Sequence, residues 1–88
     1  MLLTLLVSCA IGPGQYDRAT LSERGGDAAV FASRCSLCHA LPHPARHDMA
    51  GWQVLVPLME MRMSQRGVPP LSDAERVSIL SYLGQHAR

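Results

Sequence analysis

The run Cys35-Ser36-Leu37-Cys38-His39 constrains this chain more than any other stretch. Two thiols three residues apart stand one helical turn from each other, and an imidazole follows at once. A thioredoxin-like redox pair would need a βαβ setting and a strand-rich sequence. Half of a zinc site would need a second pair at matching spacing. The candidates, His43 and His47, lie too close to His39 for the usual finger loop. A disulfide between Cys35 and Cys38 would close too small a loop to stabilise much.

The remaining reading is the Cys-x-x-Cys-His signature of covalent attachment of one haem c. Each thiol adds across one vinyl group of the porphyrin, so Cys35 and Cys38 become thioethers. His39 then supplies the proximal iron ligand. An 88-residue chain builds only one small domain, and a domain of that size usually needs a staple. A covalently held ring would be one.

Composition excludes other classes. Hydrophobic residues make up 48% and charged residues 17%, with a formal net charge of +1, which suits neither a disordered chain nor a nucleic-acid binder. All eight basic residues are Arg. Docking through a ring of lysines is therefore ruled out, and the near-neutral charge predicts weak electrostatic steering.

Residues 1–11 are apolar and end at Gly12-Pro13-Gly14; the run is too short to span a bilayer, which takes about 20 residues. It reads as the end of a signal peptide, and Leu6-Val7-Ser8-Cys9 resembles a bacterial lipobox, with Cys9 the lipidated residue. The alternative is a plain secretory signal. Both place the domain outside the cytoplasm, in the periplasm, with attachment to the membrane by lipid on Cys9 in the first case. Residues 12–26, punctuated by Gly and Pro, read as a linker, and 27–88 as the folded domain.

Three helices are expected there. The first starts at Asp27 as N-cap, with Ala28, Phe31, Cys35 and Cys38 on one face. It ends before Pro42 and Pro44. The second spans about 49–66, with Trp52, Leu55, Met59 and Met63 on one face, a kink or break at Pro57 and Gly67 as C-cap. The third opens with the capping box Ser72-Asp73-Ala74-Glu75 and carries the stripe Val77, Leu80, Leu83 and Ala87, widened by Ile79 and Tyr82. Strand alternation is absent, so the fold is all-α.

These residues resemble the small class I cytochrome c domain over about residues 27–87. The resemblance implies three main helices around a covalent haem, with the first and last helices crossing through Phe31 and Tyr82. Many bacterial members carry the distal Met in a Met-Pro pair before the last helix. Here that stretch is Gly67-Val68-Pro69-Pro70. The chain looks more like short haem domains and subunits of bacterial dehydrogenases that place a Trp and a Met on the middle helix, as Trp52 and Met59 do.

Met59 therefore leads as the sixth iron ligand, with Met63, one turn on, as the alternative. Met61 points away from that pair, Met49 sits at the helix start, and His43 or His47 would give bis-His ligation. His86, at the end of the last helix, is expected in solvent. Phe31, Trp52 and Leu41 are expected to pack on the ring, Trp52 being either an ordinary core aromatic or a haem-edge residue with its N–H bonded to a propionate. Arg34, Arg46 and Arg62 either pair with propionates or merely solvate the surface. The function implied is one-electron transfer between periplasmic redox proteins: a dehydrogenase or reductase on one side, another cytochrome or an oxidase on the other. The chain would be a carrier or haem subunit rather than an enzyme. Alternatives are a gas-binding or peroxidase-like protein with an open distal site, and a non-haem metal or redox module.

Overall fold

The computed structural model describes residues 18–88; the apolar segment with Cys9 and residues 12–17 lie outside the described residues. The elements are α1 (Arg18–Arg24), α2 (Gly26–Cys35), a 3₁₀ turn (Pro44–Arg46), α3 (Met49–Gln65) and α4 (Asp73–His86). The protein is all-α, and among the described residues no helix is long and apolar enough to cross a membrane.

The stretch expected as linker contains a helix. In α1, Leu21 is buried in the core, and the helix packs on α2. The corner between them is made by Gly25 and Gly26, at φ +70° and +57°. That left-handed pair is open to glycine without strain, so the residues that signalled flexibility instead build a fixed turn. They also move the start of α2. Its N-cap is Gly25 rather than Asp27, and Asp27, in the first turn, accepts the Ser78 hydroxyl from α4.

The expected crossing of α2 and α4 is present. Phe31 and Tyr82 stack with ring centroids 5.0 Å apart and planes 28° from parallel. Ala28 and Ala32 beside Phe31 are buried and small, which allows the close approach of Ile79 and Leu83. The buried face of α4 is Ile79, Tyr82 and Leu83, whereas Val77 is 68% exposed. The stripe is therefore rotated from the one drawn through Val77. The capping box holds: the Glu75 N–H donates to Ser72 Oγ at 3.0 Å, and the Ser72 N–H to Glu75 Oε1 at 2.9 Å.

Helix α3 runs unbroken through Pro57. Pro57 lies on the exposed side with Val54, Leu58 and Met61, so the carbonyl of exposed Gln53 that loses its partner is open to water. Asp48 caps the start by accepting the Gly51 N–H at 2.8 Å. Across to α4, Arg76 donates to both Glu60 oxygens at 2.6 and 2.8 Å and to Asp73 at 2.8 Å. Fork-on-carboxylate pairing fixes the register of the two helices as well as their contact.

α1 packs on α2, and α2 and α3 each pack on α4, while the backbones of α2 and α3 do not approach each other closely. The space between those two helices is where the site lies.

Candidate functional site

Helix α2 stops at Cys35, so Cys38 and His39 stand in the turn after it rather than on its buried face. The cause is local. Ser36 Oγ donates back to the Ala32 carbonyl at 2.6 Å, competing with the helical N–H for that acceptor, and Pro42 and Pro44 prevent the helix from resuming. Cys35 and Cys38 are both free thiols and half-buried. Burial pushes the Cys35 thiol up to about 11, against a smaller lowering by the Arg34 charge. It is thus held as a thiol, unlike the depressed thiolate that a catalytic redox pair depends on.

The His39 ring lies with Nδ1 2.8 Å from the Ala40 carbonyl oxygen. That oxygen can only accept, so Nδ1 carries the proton, and in the neutral ring Nε2 is the nitrogen with the lone pair. An imidazole oriented in this way is prepared as a ligand.

All three residues of the motif line one cavity of about 270 Å³, open on one side. Arg34, at the end of α2, lines it too. The α3 wall consists of Val56, Met59, Arg62 and Met63, continued by Arg66 at the C-cap, and Leu71 and Ile79 complete the lining. Met63 is buried and Met59 half-buried, while Met61 is half-exposed and turned away. Two cysteines, a histidine and two methionines therefore line one space, together with three arginines and the apolar Val56, Leu71 and Ile79. Arg34 is held in place there by the Pro69 carbonyl and by Glu75, 3.4 Å away.

The three residues expected to pack on a ring are elsewhere. Phe31 is spent on Tyr82, Leu41 packs at the edge of the core, and Trp52 is 1% exposed behind the 3₁₀ turn. None of them lines the cavity. The indole N–H donates to the Pro44 carbonyl at 2.7 Å, and His47 packs edge-on against the indole at 4.9 Å. The N–H is therefore committed to the backbone and not to a bound carboxylate. His43 faces solvent and caps the turn by accepting the Ala45 N–H at 3.0 Å. His86 lies against Tyr82, exposed as expected, with centroids 4.5 Å apart. Met49 packs against Gly84 of α4.

Sequence reasoning missed Val56, Arg66, Leu71 and Ile79. The signal for Arg66 was available: Met59, Arg62, Met63 and Arg66 recur at i, i+3, i+4 and i+7, one continuous helical face. Among the described residues, no three His, Cys, Asp or Glu side chains converge as they would around a bare metal ion. Compared with protein-family models, with curated proteins and with solved structures, the chain matches none.

Proposed function

We propose that this chain is a single-haem c-type cytochrome, of the class I kind, that passes one electron at a time between redox partners outside the cytoplasm. The observation that carries the proposal is the cavity between α2 and α3, lined on one side by Cys35, Cys38 and His39 and on the other by Met59 and Met63.

The donor set fits the group. Cys35 and Cys38 would hold haem c as thioethers, His39 Nε2 would take the proximal position, and Met59 the distal one, with Met63 as the alternative. Val56, Leu71 and Ile79 supply an apolar surround. The cavity's volume, about 270 Å³, lies just below the range for small-molecule sites, about 300–1,000 Å³, and its open side leaves room for an edge at the surface. Haem c, when bound, supplies a ferric–ferrous couple, and a His/Met pair raises its potential relative to bis-His.

The chain's own contribution is placement. Ala40 fixes the tautomer and plane of His39. The Glu60–Arg76 fork holds α3, and so the two methionines, at a set position over α4. The raised Cys35 thiol weighs against a dithiol redox module, and the lack of a three-ligand cluster among the described residues weighs against a bare metal site. Partners would be a periplasmic dehydrogenase or reductase and a further cytochrome or oxidase. Export and a lipid on Cys9 belong to the same proposal.

The test is an absorption spectrum of the full chain produced together with haem-attachment machinery. The expected result is low-spin iron with the weak red sulfur-to-iron band, and haem retained through acid-organic extraction. Haem lost on extraction would overturn covalent attachment. High-spin iron that binds carbon monoxide would overturn electron transfer in favour of a gas-binding or peroxidase-like role.

A further inference from the structure

We propose that Arg62 and Arg66 form a carboxylate clamp on the α3 wall, taking the two acidic arms of a porphyrin dicarboxylate seated in the cavity. This rests on the reading above and deepens it, naming the residues that recognise the ligand's charge as distinct from its iron. The face Met59, Arg62, Met63, Arg66 alternates sulfur and guanidinium along one stripe, and every member lines the cavity.

Charge bookkeeping around that stripe separates the cations. Arg34 is answered by Glu75 and the Pro69 carbonyl, and Arg76 by Glu60 and Asp73. The carboxylates nearest the site are thereby committed. Among the described residues, neither Arg62 nor Arg66 has a side-chain hydrogen bond or ion-pair partner. Arg46, on the 3₁₀ turn, is outside the cavity altogether.

Two unanswered guanidiniums beside an apolar cavity call for a ligand with an apolar body and two anionic arms. The planar five-donor fork of Arg suits a carboxylate through two parallel bonds, which a point charge does not match. The spacing of one helical turn gives each arm its own fork. The sequence alone left Arg34, Arg46 and Arg62 undivided; the cavity keeps Arg62, adds Arg66, and assigns Arg34 to Glu75.

The experiment titrates the full, haem-free chain with protoporphyrin IX and with its dimethyl ester, reading quenching of the single tryptophan, Trp52. Circular dichroism of each variant checks that the helices are retained, and both side chains are exposed, so Arg→Gln leaves the core untouched. The expected result is a preference for the diacid of at least about tenfold, as one good charge-assisted contact would give. That preference should collapse in the R62Q/R66Q double variant, recover in part with R62K/R66K, and persist in R46Q. Equal binding of diacid and ester, binding of neither, or an unchanged preference in the double variant would each overturn the clamp. Covalent attachment is read separately by acid-organic extraction, so a chain that prefers the diacid but never attaches haem keeps the clamp and loses the cytochrome reading.

Discussion

Replacing Trp52 with Phe removes one N–H and part of one ring from the place where the motif loop is tied to α3. The indole N–H donates to the Pro44 carbonyl at 2.7 Å; Trp52 is 1% exposed and Pro44 is also fully buried, so water cannot readily replace the lost donor. The lost hydrogen bond costs about 1 kcal/mol. The missing part of the ring leaves a void of roughly 40 Å³, which at about 24 cal/mol per Å³ adds about 1 kcal/mol. Together, about 2 kcal/mol should be lost. For a domain of this size that lowers the melting temperature by roughly 8–16 °C. Thermal and urea unfolding followed by far-ultraviolet circular dichroism measure it directly, with the urea slope unchanged if the unfolded state is unaffected. Amide exchange should quicken most around Arg46, whose N–H donates to the His43 carbonyl within the same turn. A loss below about 0.5 kcal/mol, within the range of ordinary surface changes, would refute the argument that this bond holds the turn.

Alanine at Met59 should abolish the red sulfur-to-iron band of the haem-loaded protein, while alanine at Met63 should lower stability by about 2–5 kcal/mol and spare the band; the opposite spectral result would make Met63 the ligand. Peptide mapping after alkylation of the haem-free chain should show Cys35 nearly unlabelled at pH 8 and labelled rapidly as the pH approaches 11, because burial keeps it protonated. Substituting Glu60 by Gln should weaken the domain at neutral pH. The Arg76 hydrogen bonds hold the Glu60 carboxyl below its ordinary range, so its contribution is complete above that range and disappears as the pH falls through the folded-state value. The difference in urea midpoint between parent and variant should therefore begin to shrink as the pH falls through about 4 and close only below the folded-state value. Alanine at Gly84 should stabilise by about 0.5–1 kcal/mol, read as a higher urea midpoint, since the added Cβ meets Met49 Sδ at 3.6 Å, an ordinary contact.

Features set by residues near each other in sequence could be read before the structure. The capping box at Ser72–Glu75 is one, because both of its bonds lie within a single turn. The Phe31–Tyr82 crossing and the shared face of Met59 and Met63 came from periodicity and resemblance together. Reading failed where an environment chose between local options. Gly25 and Gly26 permit a flexible linker or a left-handed corner, and burial of Leu21 decided for the corner. Pro57 breaks a helix only if the orphaned carbonyl is denied water, and its exposed face removed that condition. Periodicity carried the first helix through Cys38 because it does not register Ser36 bonding back to Ala32. The rotated stripe on α4 follows from the same limit: a helix rich in apolar residues on several sides offers more than one face, and only the neighbour selects Ile79 over Val77.

The helix packing is compatible with the proposed bound group. α2 is held by α1 and α4, and α3 by α4, yet the backbones of α2 and α3 stay apart. A domain this small would ordinarily close such a gap, because apolar surface left facing solvent forfeits about 25 cal/mol per Å² of burial. Here the gap is kept open by the placement of side chains that do not fill cores well. Arg34, Arg62 and Arg66 line it, and Met63 is the one methionine on its wall that is fully buried. The large aromatics Trp52 and Phe31 are held elsewhere, by the Pro44 carbonyl and by Tyr82. The aromatic side chains are thus kept away from the space between the two helices, which is lined instead by two cysteines, a histidine, two methionines and three arginines. A flat apolar group bonded from the α2 side and ligated from the α3 side would supply the missing contact between the two helices, so that filling the site and completing the core become the same event. Haem-loaded protein should accordingly melt well above the haem-free chain, and the added stability should fall when Met59 is removed.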